Sequence, residues 1–301
     1  MDWDDGRLLL AVSRAGTLLD AARTVGLNQA TLSRRLTALE KTMGISLLVR
    51  RTTGCTLTEA GRMLADAMER VENEFLQTQA ALTEGGESPS GTIRIGAPDG
   101  FGHAFIAPRL DRFASAYPNL QIQLVPVSQT FSLSKREADI AVTLGRPQSG
   151  RLIAQKLTDY TLSLYASPDY LARFGTPKDR NDLLDHRLVG FVDDLVFSPM
   201  LAYAQEFHPG WRSTVEVSST MGQFEAVCAG AGIAVLHDFM AAGRSDLIRI
   251  LPDLITRRDY WLIHHESLRG LARIRAASDF LLGEVKSAAA QFVRQTGGEA
   301  L

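Results

Sequence analysis

Cysteine is nearly absent from the 301 residues: Cys55 and Cys228 stand alone, far apart, with no further ligand at metal-binding spacing. That excludes a disulfide framework and a zinc site, so both are expected as plain buried or half-buried thiols. Long apolar runs are missing too, none approaching the roughly 18 uncharged residues that a membrane helix needs. The opening Met1-Asp2-Trp3-Asp4-Asp5 is acidic where a secretory leader is basic and then apolar, which argues for the cytoplasm and against a membrane.

Signatures of covalent chemistry are absent as well. No Gly-Lys pair occurs, which excludes a Walker A loop, and there is neither a GxSxG elbow nor an HExxH helix. Gly230-Ala-Gly232-Ile-Ala-Val235 precedes a strand-like run instead of following one, so it reads as a close helix-to-strand turn and not as a dinucleotide loop. The six histidines are scattered, and the one adjacent pair, His264 and His265, sits at a strand end where neighbours face opposite sides. No metal, cofactor or enzymatic activity is expected. The nearest acid-base pair, Asp99 and His103 one helical turn apart, reads more simply as a helix cap beside a surface histidine.

Composition is ordinary for a globular chain, 45% hydrophobic and 22% charged, and the length fits two or three domains. The net charge of -2 conceals a split. From Ser13 to Arg62 there are eight Lys or Arg against three Asp or Glu, while the chain beyond residue 62 carries 23 bases and 28 acids. A small basic front on a larger acidic body points to an anionic partner for the front alone.

That front, residues 1–57, reads as three helices and a hairpin. Asp4 or Asp5 is a candidate cap for a helix with Leu8, Leu9 and Val12 on one face, ended by Gly16. Thr17 and Asp20 make a box-like start for a second helix through Ala21, Ala22 and Val25, and Gly26 turns the chain. Asn28 is the expected cap of a third helix, with Leu32, Leu36 and Leu39 inward, Gln29, Ser33, Arg34 and Arg35 outward, and Gly44 at its end. Leu47 to Val49 and Cys55 to Leu57 flank a basic tip at Arg50 and Arg51. Residues 58–84 then form one long helix from the cap Thr58, with Leu64, Met68, Val71, Phe75 and Leu82 on a seven-residue frame. Such a seam is expected to pack on a second chain as the dimer contact, the alternative being its own domain. Residues 85–91 are a flexible linker.

From residue 92 to 301 strand-like runs alternate with helical ones, the rhythm of a parallel-sheet α/β domain. Expected strands include Thr92 to Ile95, Leu120 to Val125, Ile140 to Thr143, Thr161 to Ala166, Leu188 to Val192, Thr214 to Val217, Gly232 to Leu236 and Tyr260 to Ile263. Tyr160 to Ala166 and Thr214 to Val217 look like buried strands. Ile106, Leu110, Phe113 and Tyr117 mark a helix, and Ile274, Phe280, Leu281 and Val285 a closing one.

Gly16 to Gly44, with Leu47-Leu-Val-Arg50-Arg51 and Thr56-Leu-Thr-Glu-Ala-Gly61, resembles the winged helix-turn-helix of the LysR-type transcriptional regulators. Gly91-Thr-Ile-Arg-Ile-Gly96, Phe113 to Pro118, Arg136 to Val142 and Ala226 to Ile233 resemble landmarks of the same family, so the likeness spans nearly the whole chain. One departure is Asn28-Gln29-Ala30-Thr31 where relatives often have Ser-Gln-Pro-Ala; the cap survives, and the base preference is open. The resemblance implies an α/β body of two periplasmic-binding-protein-like lobes, lobe I about 92–154 plus 256–301 and lobe II about 155–255, with a small effector between them.

It also implies double-stranded promoter DNA as a partner, further copies of the chain as a homodimer or homotetramer, and leaves RNA polymerase open as another. An amide and a methyl suit base edges, so Gln29 and Thr31 are expected there, Arg34, Arg35, Arg50 and Arg51 on phosphates, and Asn28 and Ser33 beside them in the same DNA-binding set. Ligands in such sheets bind beyond the carboxyl ends of strands, which selects Asp99, Gly100, Phe101, Ser128, Gln129, Gly145 and Arg146 on lobe I. Phe191, Ser219, Thr220 and Gln223 face them from lobe II. Asp99, where relatives carry Ser or Thr, disfavours an anionic effector, whereas Arg146 favours one; alternatively Asp99 caps the helix near His103 and Arg146 pairs with a hinge acid. A solute-binding sensor without DNA binding is the rival reading, and it leaves the basic tri-helix unexplained.

Overall fold

The computed structural model describes residues 2–51, 54–83, 89–128, 138–148 and 150–294. The chain forms two compact units, the first holding residues 1–87 and the second most of the remaining chain.

In the first unit α1 (Trp3–Ala15), α2 (Leu18–Thr24) and α3 (Gln29–Met43) start on side-chain caps. Thr17 Oγ1 accepts the Asp20 N–H at 3.1 Å and Asn28 Oδ1 the Thr31 N–H at 2.8 Å, each satisfying a donor that the first helical turn leaves open. The cap of α1 is Asp2, not Asp4 or Asp5, because those two carboxylates are turned sideways onto arginines. Gly16 and Gly44 end α1 and α3 in the left-handed conformation, which costs glycine little. Leu8, Leu9, Val12, Leu32, Leu36 and Leu39 meet in one buried cluster, each leucine worth about 2 kcal/mol of burial. The hairpin β1 (Leu48–Arg51) and β2 (Gly54–Leu57) closes that cluster with Leu48 and Cys55. It is fastened by Glu40, whose Oε1 accepts the Leu47 and Leu48 N–H groups at 2.7 and 3.0 Å. Thr58 then caps α4 (Glu59–Thr83), accepting the Gly61 N–H at 3.0 Å.

The second unit is built on one eight-stranded mixed sheet. β3 (Gly91–Pro98) pairs in parallel with β4 (Leu120–Val127) and β5 (Ile140–Leu144), forming the sheet of lobe I. β6 (Leu152–Ala166) and β10 (Ile248–His265) are long antiparallel neighbours that run through both lobes. β9 (Ile233–His237), β7 (Leu188–Gly190) and β8 (Val215–Glu216) complete lobe II. The strands within each lobe are parallel, as the rhythm leads one to expect, while the two crossing strands are antiparallel to their neighbours, a direction that the rhythm of short apolar runs does not report. Thr214 to Val217 is not a buried strand. β8 is a two-residue edge, half-buried at Val215 and exposed at Glu216.

Helices cover the sheet. α5 (Asp99–Phe101), a π turn (Gly102–Ile106), a 3-10 turn (Ala107–Arg109) and α6 (Leu110–Ala116) replace the single helix expected around Ile106 to Tyr117. Pro108, which lacks an N–H, sits in the 3-10 turn, so an unbroken helix is unavailable there. Phe113 stacks on Phe280 of α11 (Ala272–Ser287), with ring centroids 4.4 Å apart. α7 (Pro168–Phe174), α8 (Ala204–Phe207), α9 (Thr220–Cys228), α10 (Asp238–Ala241) and α12 (Ala289–Phe292) complete the set. Buried Asp238 joins α10 to β6 by accepting from Thr161, from Tyr165 Oη at 2.6 Å and from Ser163 Oγ at 3.2 Å.

Candidate nucleic-acid interface and effector cavity

On α3 the three buried leucines turn one face into the module, leaving Asn28, Gln29 and Arg34 exposed and Thr31 and Ser33 half-buried at its N-terminal half. Thr31 Oγ1 accepts from Arg34 Nη2 at 3.3 Å, so these neighbours lie on one face. Arg35, expected on phosphate, has another task. Its guanidinium binds Asp5 Oδ1 at 2.6 and 2.9 Å and Asp4 Oδ2 at 2.6 Å, tying α3 to the start of α1. Those hydrogen bonds raise the Arg35 pKa, and with Arg7 they lower that of Asp4. Arg50 and Arg51 lie on β1 opposite Cys55 and Gly54, beside the hairpin tip; their side chains fall outside the described residues.

The five-residue seam of α4 is divided. Met68 is buried against α1 at Gly6, where an added Cβ would lie 2.2 Å from Met68 Sδ. Leu64 packs on the tri-helix core, and Arg14 of α1 pairs with Glu69 and Glu72. The inner half of the expected dimer seam thus docks on its own module, because glycine at position 6 lets the helices approach. Val71 and Phe75 point outward, 48% and 66% exposed, and the Leu82 side chain lies outside the described residues.

In the body, Asp99, Gly100 and Ser128 of lobe I meet Thr220 and Phe191 of lobe II around a narrow cavity. It holds about 10 Å³ of water-accessible space, the room of a single water. The lobes touch: a Cβ on Gly100 would lie 2.8 Å from Thr220 Cγ2 and 3.1 Å from Met240 Sδ. Asp99 does cap a helix, but not its own. Its Oδ2 accepts the Met221 N–H at 2.9 Å, while Ser219 Oγ accepts that of Gly222 at 2.9 Å, so the N-terminus of α9 is capped from both lobes. His103 Nδ1 lies 3.0 Å from the other carboxylate oxygen.

Other expected effector contacts sit elsewhere. Phe101 is fully buried among Phe105, Phe239, Tyr260 and Phe292, because the helical turn of α5 points it into the core, away from Asp99. Gly145 turns the chain at φ 70° beside Met200, and exposed Arg146 lies over the Trp261 ring at 5.4 Å instead of pairing with a hinge acid. Ser219 is spent on the α9 cap, Gln223 faces a second cavity within lobe II, and Gln129 lies outside the described residues.

The model of the bacterial regulatory helix-turn-helix proteins of the lysR family matches residues 3–62, and that of the LysR substrate binding domain matches residues 86–286. The chain belongs to the LysR family. It is a transcriptional regulator with a helix-turn-helix DNA-binding module and an effector-binding domain. An HTH-type transcriptional regulator of Xanthomonas campestris is 32% identical over 186 residues, 62% of this chain and about half, 54%, of that protein. DmlR, an HTH-type transcriptional regulator of Escherichia coli, is 27% identical and covers 92% of both chains. The solved structure of CrgA, a LysR-type regulator from Neisseria meningitidis, superposes with a TM-score of 0.59 over 95% of this chain and 99% of that one, at 23% identity. Among the described residues no helix is long and apolar enough to cross a membrane.

For a LysR-type body, the cavity walls that sequence reasoning missed are Pro98, Leu144, Phe197, Leu201, His237 and Tyr260. Phe197 and Leu201 come from a segment of short 3-10 turns, Asp193–Leu195 and Pro199–Leu201, which has no periodicity to read. Arg258 holds that segment from β10 through the Met200 carbonyl at 3.4 Å, and holds α8 through an ion pair with Glu206. His237 stacks on Tyr160 at 5.1 Å, its buried Nδ1 has no hydrogen-bond partner among the described residues, and burial lowers its pKa to about 3. Burial likewise pushes the Tyr160, Tyr203 and Tyr260 hydroxyls well above their ordinary values, so all three are neutral.

Proposed function

We propose that this regulator reads promoter DNA by laying the N-terminal half of α3 in the major groove, with Gln29 and Thr31 on base edges and Ser33 alongside. Arg34, with Arg50 and Arg51 from the hairpin, holds phosphates; Arg35, neutralised by Asp4 and Asp5, positions α3 instead. The observation that carries this reading is the capped, cored α3 whose outward face displays Gln29 and Arg34. Two copies pair through the outer half of α4, where Val71 and Phe75 are exposed, as a dimer or as a tetramer of two dimers. The regulator needs no covalent chemistry, works in the cytoplasm where the DNA is, and meets RNA polymerase, if at all, from the DNA-bound assembly.

An effector entering between the lobes must part Gly100 from Thr220, because the closed cavity holds one water. Entry therefore changes the angle between lobes and, through the assembly, the spacing of DNA modules. The test compares Gln29→Ala with Arg34→Ala on operator and unrelated duplexes. Gln29→Ala is expected to relax preference, losing about 1–3 kcal/mol on the operator alone, and Arg34→Ala to weaken both duplexes alike and lower the salt dependence. Equal weakening of both duplexes by Gln29→Ala would refute its base-reading role.

A further inference from the structure

Lobe II contains a cavity far larger than the interlobe one. It offers about 440 Å³ of water-accessible space against about 10 Å³, within the roughly 300–1,000 Å³ of small-molecule sites. It lies over the carboxyl ends of β7 and β8, at Gly190 and Glu216, and beside Val235 in the middle of β9. Three aromatic residues wall it: Phe191, Tyr203 and Trp211, the last two 3% and 8% exposed. Trp211 is locked in place, its Nε1 donating to Ser213 Oγ at 3.2 Å. Gly190 makes room for that pair, since a Cβ there would lie 2.2 Å from the same hydroxyl.

One buried polar group faces this space with its hydrogen-bonding capacity half used. Gln223 is 2% exposed and lines the cavity; its Nε2 donates to the Val217 carbonyl at 3.1 Å. Its amide oxygen has no hydrogen-bond donor among the described residues. An acceptor open to the cavity takes a donor, and a ligand N–H supplies one. Among the charged residues that line it, exposed Asp193 and Glu216 outnumber exposed Arg212, so the lining favours positive over negative charge.

We propose that this cavity is a second ligand site, distinct from the interlobe cleft, and that it takes a small aromatic amine. The flat body fills the space between Phe191, Tyr203 and Trp211, the amino group donates to the Gln223 amide oxygen, and its charge faces Asp193 and Glu216. Phe191 and Leu201 wall both cavities, so occupancy here bears directly on the residues that fill the interlobe space. The site is expected to bias lobe closure without a ligand crossing between lobes.

Trp211 is one of three tryptophans, so Trp3→Phe with Trp261→Phe leaves it as the sole indole. The full-length double variant is titrated with 2-phenylethylamine and with phenylacetate, a probe of similar shape and opposite charge. Calorimetry on the unaltered chain guards against a folding defect in the variant. A saturable change in Trp211 emission, with the amine bound about fivefold or more tighter than the acid, is expected. Adding Gln223→Met is expected to weaken the amine about tenfold, and adding Glu216→Gln to bring the two probes together. No calorimetric binding of the amine up to about 10 mM, equal binding of both probes, or amine affinity unchanged by Gln223→Met would each overturn the assignment.

Discussion

Asp99 stands where an effector contact was expected, yet its carboxylate is already committed to the α9 N-terminus in the facing lobe. Asp99→Ala removes a charge-assisted hydrogen bond of 2.9 Å to Met221 N and leaves that N–H unsatisfied between lobes. The bond and the favourable field at the helix start together are worth about 2 kcal/mol at this largely buried position. For a body of about 200 residues that lowers the melting temperature by about 4–8 °C. Asp99→Asn retains an oxygen acceptor but not the charge, and is expected to lose about half as much. Scanning calorimetry of the effector-free protein measures both, and amide exchange at Met221 is expected to quicken in Asp99→Ala alone. Wild-type melting and unchanged Met221 protection in Asp99→Ala would show that the carboxylate does not join the lobes, and would return Asp99 to the effector set.

Three other perturbations probe separate parts of the fold. Gly100→Ala forces a methyl against the Thr220 side chain and is expected to open the lobes, seen as a larger radius of gyration of the effector-free body by small-angle scattering; an unchanged radius would mean that the contact relaxes locally. Because His237 is neutral when folded, with a pKa of about 3 against an ordinary 6.5, the unfolded chain binds its proton first and stability falls as pH drops below about 6.5. The slope from this group is about 1.4 kcal/mol per pH unit, so denaturant unfolding at pH 6.5 and 5 is expected to show wild type losing about 2 kcal/mol more than His237→Phe; parallel losses would contradict it. Val71→Glu with Phe75→Glu puts charge on the exposed half of α4 and is expected to raise the monomer fraction in sedimentation, whereas an unchanged distribution would move the dimer contact off this helix.

The front of the chain was readable because its elements are local. Thr17, Asn28 and Thr58 cap what their positions imply, and Leu32, Leu36 and Leu39 face inward as their spacing requires. What escaped is what depends on distant partners. Periodicity places Met68 and Phe75 on one seam, but only the contact with Gly6 decides that the first is buried and the second free. Arg35 has the type and place of a phosphate contact, and Asp4 and Asp5, about thirty positions away, claim it. In the body, strand-end logic finds Asp99, Gly100, Ser128 and Thr220 at the cavity, yet it cannot tell which residue of a turn points inward, and Phe101 goes to the core. The segment from Asp193 to Tyr203 carries no period at all, and it supplies much of the wall of both cavities.

The central claim, that α3 reads sequence within a promoter, is tested most directly by fluorescence anisotropy. The duplex upstream of the protein's own gene is compared with an unrelated duplex at two salt concentrations. The account expects tight, salt-sensitive binding with a preference of about a thousandfold for the upstream duplex, lost in Gln29→Ala. Equal, weak binding of both duplexes, unchanged by Gln29→Ala, would contradict sequence reading by this helix at that promoter.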